Sequence, residues 1–253
     1  MKKERIHYLR MDVKRLLYGY RIYVAVLGVT AALFFALESD GVNQGVVNTY
    51  IFATEMSGMM LVYVFCAFPY ATAFSEDMEN KYIRYQLIRG NLRKYVSSKI
   101  SIIYISSVFV MLVGSLLFLL AVRVQVPWKD PREEIFAICM GGSYSALLRR
   151  GQYLLYCMIY ALQLGFLAGT LSVFSAFVSL FLSNKVTVLV TPILVYQIFL
   201  GTVTNTKVSI FMFRAYNQCF ENDIVNLFFV FMVSLILVLV IAAGACRKIK
   251  ERL

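Results

Sequence analysis

The chain has 253 residues, of which 60% are hydrophobic and 15% are charged, and its net charge is +11. Its mean hydropathy of +0.72 excludes an ordinary soluble globular protein and indicates a membrane protein. Lipid offers the backbone no hydrogen-bond partners, and the apolar runs are continuous instead of alternating, so we expect transmembrane helices and not the strands of a barrel.

Six apolar stretches are predicted as membrane spans, and most of them are long enough to cross the hydrocarbon core, which takes about 20 residues as a helix. They are residues 22–37, 49–74, 100–122, 152–182, 186–203 and 224–245. Residues 1–253 are therefore predicted to form a single all-α transmembrane domain with six transmembrane helices.

The basic residues are unevenly distributed between the two sides of these spans. If the amino terminus is cytoplasmic, 18 of the 25 lysines and arginines fall on the cytoplasmic side. The other seven are Arg123, Lys129, Arg132, Arg149, Arg150, Lys207 and Arg214. The positive-inside rule then places both termini in the cytoplasm. We attribute the net positive charge to the orientation of the chain in the membrane and to contacts with anionic lipid, and we expect no nucleic-acid partner.

Residues 1–21 precede the first span and are predicted to form a basic amphipathic interfacial helix. Ile6, Leu9, Val13 and Leu16 recur at helical spacing, and most lysines and arginines fall on the other side. Two interpretations remain open, a plain membrane anchor and a helix that also contacts a cytoplasmic partner.

The second span contains an acidic residue, Glu55, about two turns from its outer end. Ionisable groups within a membrane are costly and typical of function, although a carboxylate this shallow can also reach outer water. Candidate residues of a substrate pathway surround it and recur in the fifth span. They are Glu55, Met56, Met59, Tyr63, Tyr196 and Gln197.

The fourth stretch has small residues spaced by threes and fours along one face of the predicted helix. Small residues allow helix backbones to approach closely in lipid, so this face is predicted to pack against other helices of the bundle. The first four positions are Gly165, Gly169, Ser172 and Ala176.

Several kinds of catalytic chemistry are excluded or disfavoured. His7 is the only histidine, which excludes a histidine triad or a histidine zinc site within the spans. No phosphate-binding GxxxxGK[ST] motif is present, so the chain is not expected to bind ATP itself. The pair Glu133–Glu134 lacks the histidines that a glutamate-based membrane protease would need. The cysteines lack metal spacing; Cys139 and Cys219 could pair, but isolated thiols are the simpler interpretation.

The longest predicted cytoplasmic excursion inside the bundle joins the second and third spans, and its residues carry a family resemblance. They are Phe74, Glu76, Asp77, Tyr82–Ile83, Leu87, Arg89–Gly90, Arg93, Tyr95 and Lys99. This pattern resembles the corresponding loop of the permease subunits of ABC type 2 exporters. Lys81 and Tyr82 stand where that family usually has glycine and threonine, and Arg89–Gly90 replaces a proline turn.

The resemblance implies a short coupling helix at about residues 81–90 that docks on a separate ABC ATPase. ATP and Mg would be bound by that subunit, with no cofactor in this chain, and two permeases would form a homodimer or a heterodimer. The residues expected to contact the ATPase are Glu76, Asp77, Lys81, Tyr82, Arg84, Tyr85, Leu87, Arg89 and Arg93. Their guanidinium groups suit bidentate contacts with acidic groups, and their aromatic and leucine side chains suit an apolar groove.

The sequence is therefore interpreted as the permease subunit of an exporter in a bacterial plasma membrane, without enzymatic activity of its own. Its cargo would be a peptide, an antimicrobial, a lipid or another amphiphile. A secondary transporter and a non-transporting membrane sensor or scaffold remain alternatives. Intramembrane charges and two related halves would favour the secondary transporter.

Overall fold

The computed structural model describes residues 8–37, 45–80, 92–129, 138–182, 184–202, 210–214, 217 and 219–251. The helices in chain order are α1 (Tyr8–Leu17), α2 (Arg21–Ala36), α3 (Val46–Glu55), α4 (Met59–Ala67), α5 (Ala73–Glu79), α6 (Leu92–Gln125), α7 (Ser145–Arg149), α8 (Tyr153–Val178), α9 (Lys185–Thr202), a 3₁₀ turn (Ile210–Phe213) and α10 (Asp223–Glu251). All regular structure in the described ranges is helical, which confirms the all-α prediction.

Three helices are long and apolar enough to cross a membrane, namely α6, α8 and α10. The pair α3–α4 adds a fourth if it forms one broken span, while α2 and α9 are shorter apolar helices. The prediction of helices long and apolar enough to cross a membrane is thus confirmed, and the number of six spans remains a prediction. Pro192 lies inside α9.

The single predicted span at residues 49–74 is replaced by two helices. α3 ends at Glu55 and α4 begins at Met59, and their axes are bent by 79°. Met56 has an extended backbone (ψ 160°), and Gly58 packs so closely on α2 that an added Cβ would lie 2.7 Å from the Cα of Ala36. Close packing on α2 and a glycine of low helix propensity together explain a break that the apolar run conceals.

Helix α8 forms the centre of the bundle. It packs against α6, α10, α9 and α4, and 78% of its most apolar 18-residue window is buried, against 17% for α10. α10 is therefore a peripheral helix with a wide exposed face, and α6 lies between α8 and α2. The close α2–α6 contact depends on Gly114, where a Cβ would lie 2.5 Å from the Val29 side chain.

A second, smaller core surrounds the end of the bundle where α6 begins and α10 ends. We call it the α6-start end. Its buried residues come from the α4–α5 segment, α6, α8 and α10, and Phe74, Tyr95 and Ile249 are among them. α1 lies at the same end and packs against α6. This arrangement positions the polar site described next.

Candidate functional site

A cluster of six charged side chains joins α1, α5 and α6 at the α6-start end, with Arg21 at the start of α2. We call it the ion network. Its members are Asp12, Arg15, Arg21, Glu76, Asp77 and Lys99. Three cations face three anions, so the cluster is neutral as a set.

Lys99 is the centre of the ion network. Its Nζ lies 2.7 Å from Oδ2 of Asp77 and 3.3 Å from Oδ1 of Asp12, and only 2% of its side chain is exposed. The ammonium group also lies 5.1 Å from the centre of the Tyr70 ring and 5.8 Å from that of Tyr95. A buried ammonium is tolerated only when paired and hydrogen-bonded, and both conditions are met here.

Asp12 brings α1 into the network. Its Oδ1 accepts a hydrogen bond from the Tyr70 hydroxyl at 2.9 Å, and its Oδ2 accepts one from the Ser98 hydroxyl at 3.0 Å. Asp12 is 8% exposed, whereas Val13 beside it is 41% exposed. The polar residue of α1 therefore faces the bundle, and the apolar Val13 faces outwards at the surface of the bundle.

Two arginines close the rim of the network. Arg15 donates to Oδ1 of Asp77 at 3.0 Å and to Oε2 of Glu76 at 2.9 Å, while Arg21 donates to Oε1 of Glu76 at 2.7 Å. The Thr72 hydroxyl also donates to Glu76. Arg15 thus links two carboxylates of α5, and charge-assisted hydrogen bonds of this kind are stronger than those between neutral groups.

The carboxyl groups of Glu76 and Asp77 remain ionised in this setting. Burial raises the pKa of Asp77, but the Lys99 charge and hydrogen bonds from Lys99, Tyr95 and Arg15 outweigh it and leave the pKa below its usual value. Burial likewise raises the pKa of Glu76, and Arg21, Thr72 and Arg15 more than offset it, so this pKa is also lowered.

The predicted ATPase-contact residues divide into two groups. Lys81, Tyr82, Arg84, Tyr85, Leu87 and Arg89 lie outside the described residues. Glu76 lies at the rim of the network, Asp77 is bonded within it, and Arg93 is exposed at the start of α6. The Asp77 side chain is only 3% exposed, so its carboxylate faces the other members of the network.

The predicted pathway residues gather near the break between α3 and α4. Glu55 pairs with Arg214, and Arg214 also lies 3.4 Å from the Tyr196 hydroxyl. The rings of Tyr63 and Tyr196 are 5.0 Å apart. The Gln197 amide contacts the Met60 sulfur at 3.1 Å, and Met59 is buried while Met56 is partly exposed. The structure thus brings residues of α3, α4 and α9 together with a cation that the sequence did not single out.

The small residues of α8 pack closely on neighbouring helices. A Cβ on Gly169 would lie 2.6 Å from the Tyr104 ring of α6, and one on Gly165 would lie 3.4 Å from Val108. Ser172 and Ala176 are fully buried. Cys139 and Cys219, both described, are thiols and not a disulfide. Within the described ranges, no group of three or more histidine, cysteine or acidic side chains could hold a metal.

Sequence reasoning missed Asp12, Tyr70 and Ser98, and it singled out Lys99 only as one of the residues that carry the family resemblance. One signal was present. Asp12 falls three residues after Leu9 and four before Leu16, so it lies within the apolar register of α1. An acid in that register, together with a lysine in an apolar helix, indicates a buried pair.

No protein-family model, no curated protein and no solved structure matches this chain.

Proposed function

We propose that this chain is the transmembrane permease subunit of an ATP-driven exporter. A separate ATPase subunit would bind ATP and Mg, a second permease would complete a dimer, and an amphiphilic cargo such as a peptide, an antimicrobial or a lipid would cross the plasma membrane. The observation that carries this proposal is the ion network, because it connects both ends of the segment that resembles a coupling helix.

The two flanks of residues 80–91 are joined through buried charge pairs. Glu76 and Asp77 lie in the last turns of α5 before that segment, and Tyr95 and Lys99 lie in the first turns of α6 after it. Tyr95 donates to Asp77 at 2.7 Å, beside the Lys99 contact. A force applied to the segment would therefore move α5 and the start of α6 together, because separating them would leave charges buried without partners.

Helix α6 provides a path from the network to the far end of the bundle. It has 34 residues and is therefore about 50 Å long at 1.5 Å per residue. Its middle packs on α8 at Gly169 and on α2 at Gly114. A tilt at the α6-start end would be carried as a rigid-body movement, the usual response of close-packed helices.

Association with an ATPase tests the proposal directly. The affinity-tagged chain is isolated from membranes of the native host in mild detergent, and proteins that copurify are identified by mass spectrometry. We expect a stoichiometric partner with a phosphate-binding loop. The variant Arg89→Glu/Tyr85→Ala should reduce its recovery at least about tenfold, because a guanidinium contact and an aromatic anchor are both lost.

A matched control carries the same kinds of change at the opposite end of the bundle. Arg149→Glu/Leu154→Ala alters two exposed side chains there and should leave ATPase recovery unchanged. If the wild type, the Arg89→Glu/Tyr85→Ala variant and the control recover equal amounts of ATPase, docking through this segment is contradicted. If no ATPase copurifies from host membranes, the result favours the alternative that this chain is a membrane sensor or scaffold.

A secondary transporter is the second candidate, and the broken span favours it. A discontinuous helix with a carboxylate at the break is typical of ion-coupled sites, and Glu55 ends α3 at the 79° bend. This candidate predicts proton uptake by proteoliposomes that contain only this chain, recorded with an internal pH dye under an imposed potential. Glu55→Gln should abolish that signal, whereas a chain that works only with an ATPase should show none in either form.

A further inference from the structure

A groove between α6 and α10 opens on the side of the bundle and is separate from the ion network. Its volume is about 780 Å³, within the range of small-ligand sites. The walls are almost entirely apolar, with small residues such as Ser101 and Ala242 where the two helices stand apart. Both helices are long and apolar enough to span a membrane, so the groove opens towards lipid.

The two charged residues of the lining lie at one end of the groove. Arg93 begins α6 and Arg247 lies near the end of α10, and both are exposed. The helices run in opposite directions, so both arginines lie at the α6-start end. The cationic end suits an anionic head group, and guanidinium forks suit phosphate in particular.

The length of the groove matches one leaflet of a bilayer. Its lining extends from Arg93 to Ile105 on α6 and from Arg247 to Phe231 on α10. At 1.5 Å per residue these segments rise about 18 and 24 Å. Half a bilayer, with its head groups, is about 20–22 Å thick. At the end of the groove far from the arginines, the Tyr104 hydroxyl bonds to the Ser234 hydroxyl at 2.7 Å and ties the two helices together.

We propose that this groove binds one anionic phospholipid of the leaflet at the α6-start end. The phosphate lies between Arg93 and Arg247, and an acyl chain lies against the apolar walls towards Phe231. Charge complementarity favours this occupant over a second copy of the chain, which would have to bury two arginines. The site requires only that α6 and α10 span the membrane, and it does not depend on the proposed exporter activity.

The test compares lipid binding by the full chain in detergent, using native mass spectrometry with phosphatidylglycerol and phosphatidylcholine of identical acyl chains. We expect the wild-type chain to prefer phosphatidylglycerol about tenfold or more, since each basic residue near the surface adds appreciably to anionic-lipid attraction. Arg93→Gln/Arg247→Gln should reduce that preference to less than about twofold. Lys94→Gln/Lys250→Gln removes two exposed charges outside the groove lining at the same end and should keep it.

A second variant tests the apolar part of the groove. Ala242→Trp fills it and leaves both arginines in place, so it should reduce binding of both lipids at least about fivefold. An unchanged thermal unfolding temperature shows that the variant is folded, and an unfolded Ala242→Trp is replaced by Ser101→Phe.

Three results would overturn the proposal. The first is equal loss of preference in the arginine and lysine variants. The second is displacement of the lipid by millimolar glycerol 3-phosphate, which carries the head-group charge without the chains. The third is a dimer that Ala242→Trp dissociates, because a second copy would then occupy the groove.

Discussion

The Nζ atom of Lys99 lies 2.7 Å from the Asp77 carboxylate, and both side chains are nearly inaccessible to solvent. This pair joins the start of α6 to α5 across residues 80–91. Its surroundings supply a second carboxylate from α1 and two hydroxyls, those of Tyr70 and Tyr95. The contact is therefore a structural joint between three helices, and its removal should have consequences beyond a local loss of one bond.

Lys99→Met should destabilise the protein strongly. The change leaves Asp12 and Asp77 buried without the cation between them, and breaking a buried pair in this way costs about 3–5 kcal/mol. The free energy of unfolding is measured by titrating SDS into mixed micelles. Lys94→Met, an exposed lysine at the same helix end, should change it by less than about 0.5 kcal/mol.

The double variant Lys99→Met/Asp77→Leu shows how much of the destabilisation in Lys99→Met comes from an uncompensated buried charge and how much from lost packing. Removal of the orphaned carboxylate should recover at least about 1 kcal/mol relative to Lys99→Met alone. If the loss of unfolding free energy in the double variant equals the sum of the losses in Lys99→Met and Asp77→Leu, the two side chains are not coupled.

Asp12→Leu should loosen α1 from the bundle. The carboxylate of Asp12 accepts hydrogen bonds from Tyr70 and Ser98, and its loss leaves Lys99 with one carboxylate in place of two. Amide hydrogen exchange in residues 11–17 should accelerate at least about tenfold, while exchange in the middle of α8 stays unchanged. Glu251→Gln, which alters an exposed pair on α10, is the control. Unchanged exchange in Asp12→Leu would mean that α1 is held by apolar packing alone.

The ion network should weaken in acid. The pKa values of Asp77 and Glu76 are lower in the folded protein than in the unfolded chain, so their stabilising contribution is complete above the unfolded values of about 4. That contribution is lost as the pH falls through the folded values. Unfolding measured between about pH 6 and 3 should therefore show a steeper decline for the wild type than for Glu76→Gln/Asp77→Asn. If the unfolding free energy falls with pH equally in both proteins, Glu76 and Asp77 do not supply the acid-sensitive stability.

Gly169→Ala should destabilise the contact between α8 and α6. The added Cβ would lie 2.6 Å from the Tyr104 ring, so the ring must move and strain its hydrogen bond to Ser234. Such overpacking costs about 1–3 kcal/mol. Gly244→Ala is the matched control, because its Cβ would meet Phe177 at an ordinary 3.4 Å. Equal unfolding free energies for the two variants would show that the α6–α8 interface accommodates the added methyl group without loss of stability.

Much of the fold follows from hydrophobic pattern and length. Continuous apolar runs predict helices because lipid cannot satisfy an open backbone, and the described residues are indeed helical in all their regular structure. The interruption between Glu55 and Met59 was not predicted, since Met56, Ser57 and Gly58 do not interrupt hydropathy enough to separate two helices. The bend depends on how Gly58 packs on Ala36, which is a tertiary contact.

The candidate site was predictable only in part. Glu76 and Asp77 stand out as acids after a long apolar run, and Glu55 stands out as an acid within one. Their partners do not stand out, because Arg15 precedes Asp77 by 62 positions and Arg214 follows Glu55 by 159. A one-dimensional pattern carries no information about pairs at such separation when each partner is one charge among many.

The amino-acid sequence by itself determined that this chain is helical and that several of its segments are long and apolar enough to cross a membrane. Each of these follows from the solvation of single residues, which composition and periodicity report. Only the tertiary structure decided that Asp12, Asp77 and Lys99 form one buried joint, because a charge enters a low-dielectric interior only when folding brings its counter-charge within reach.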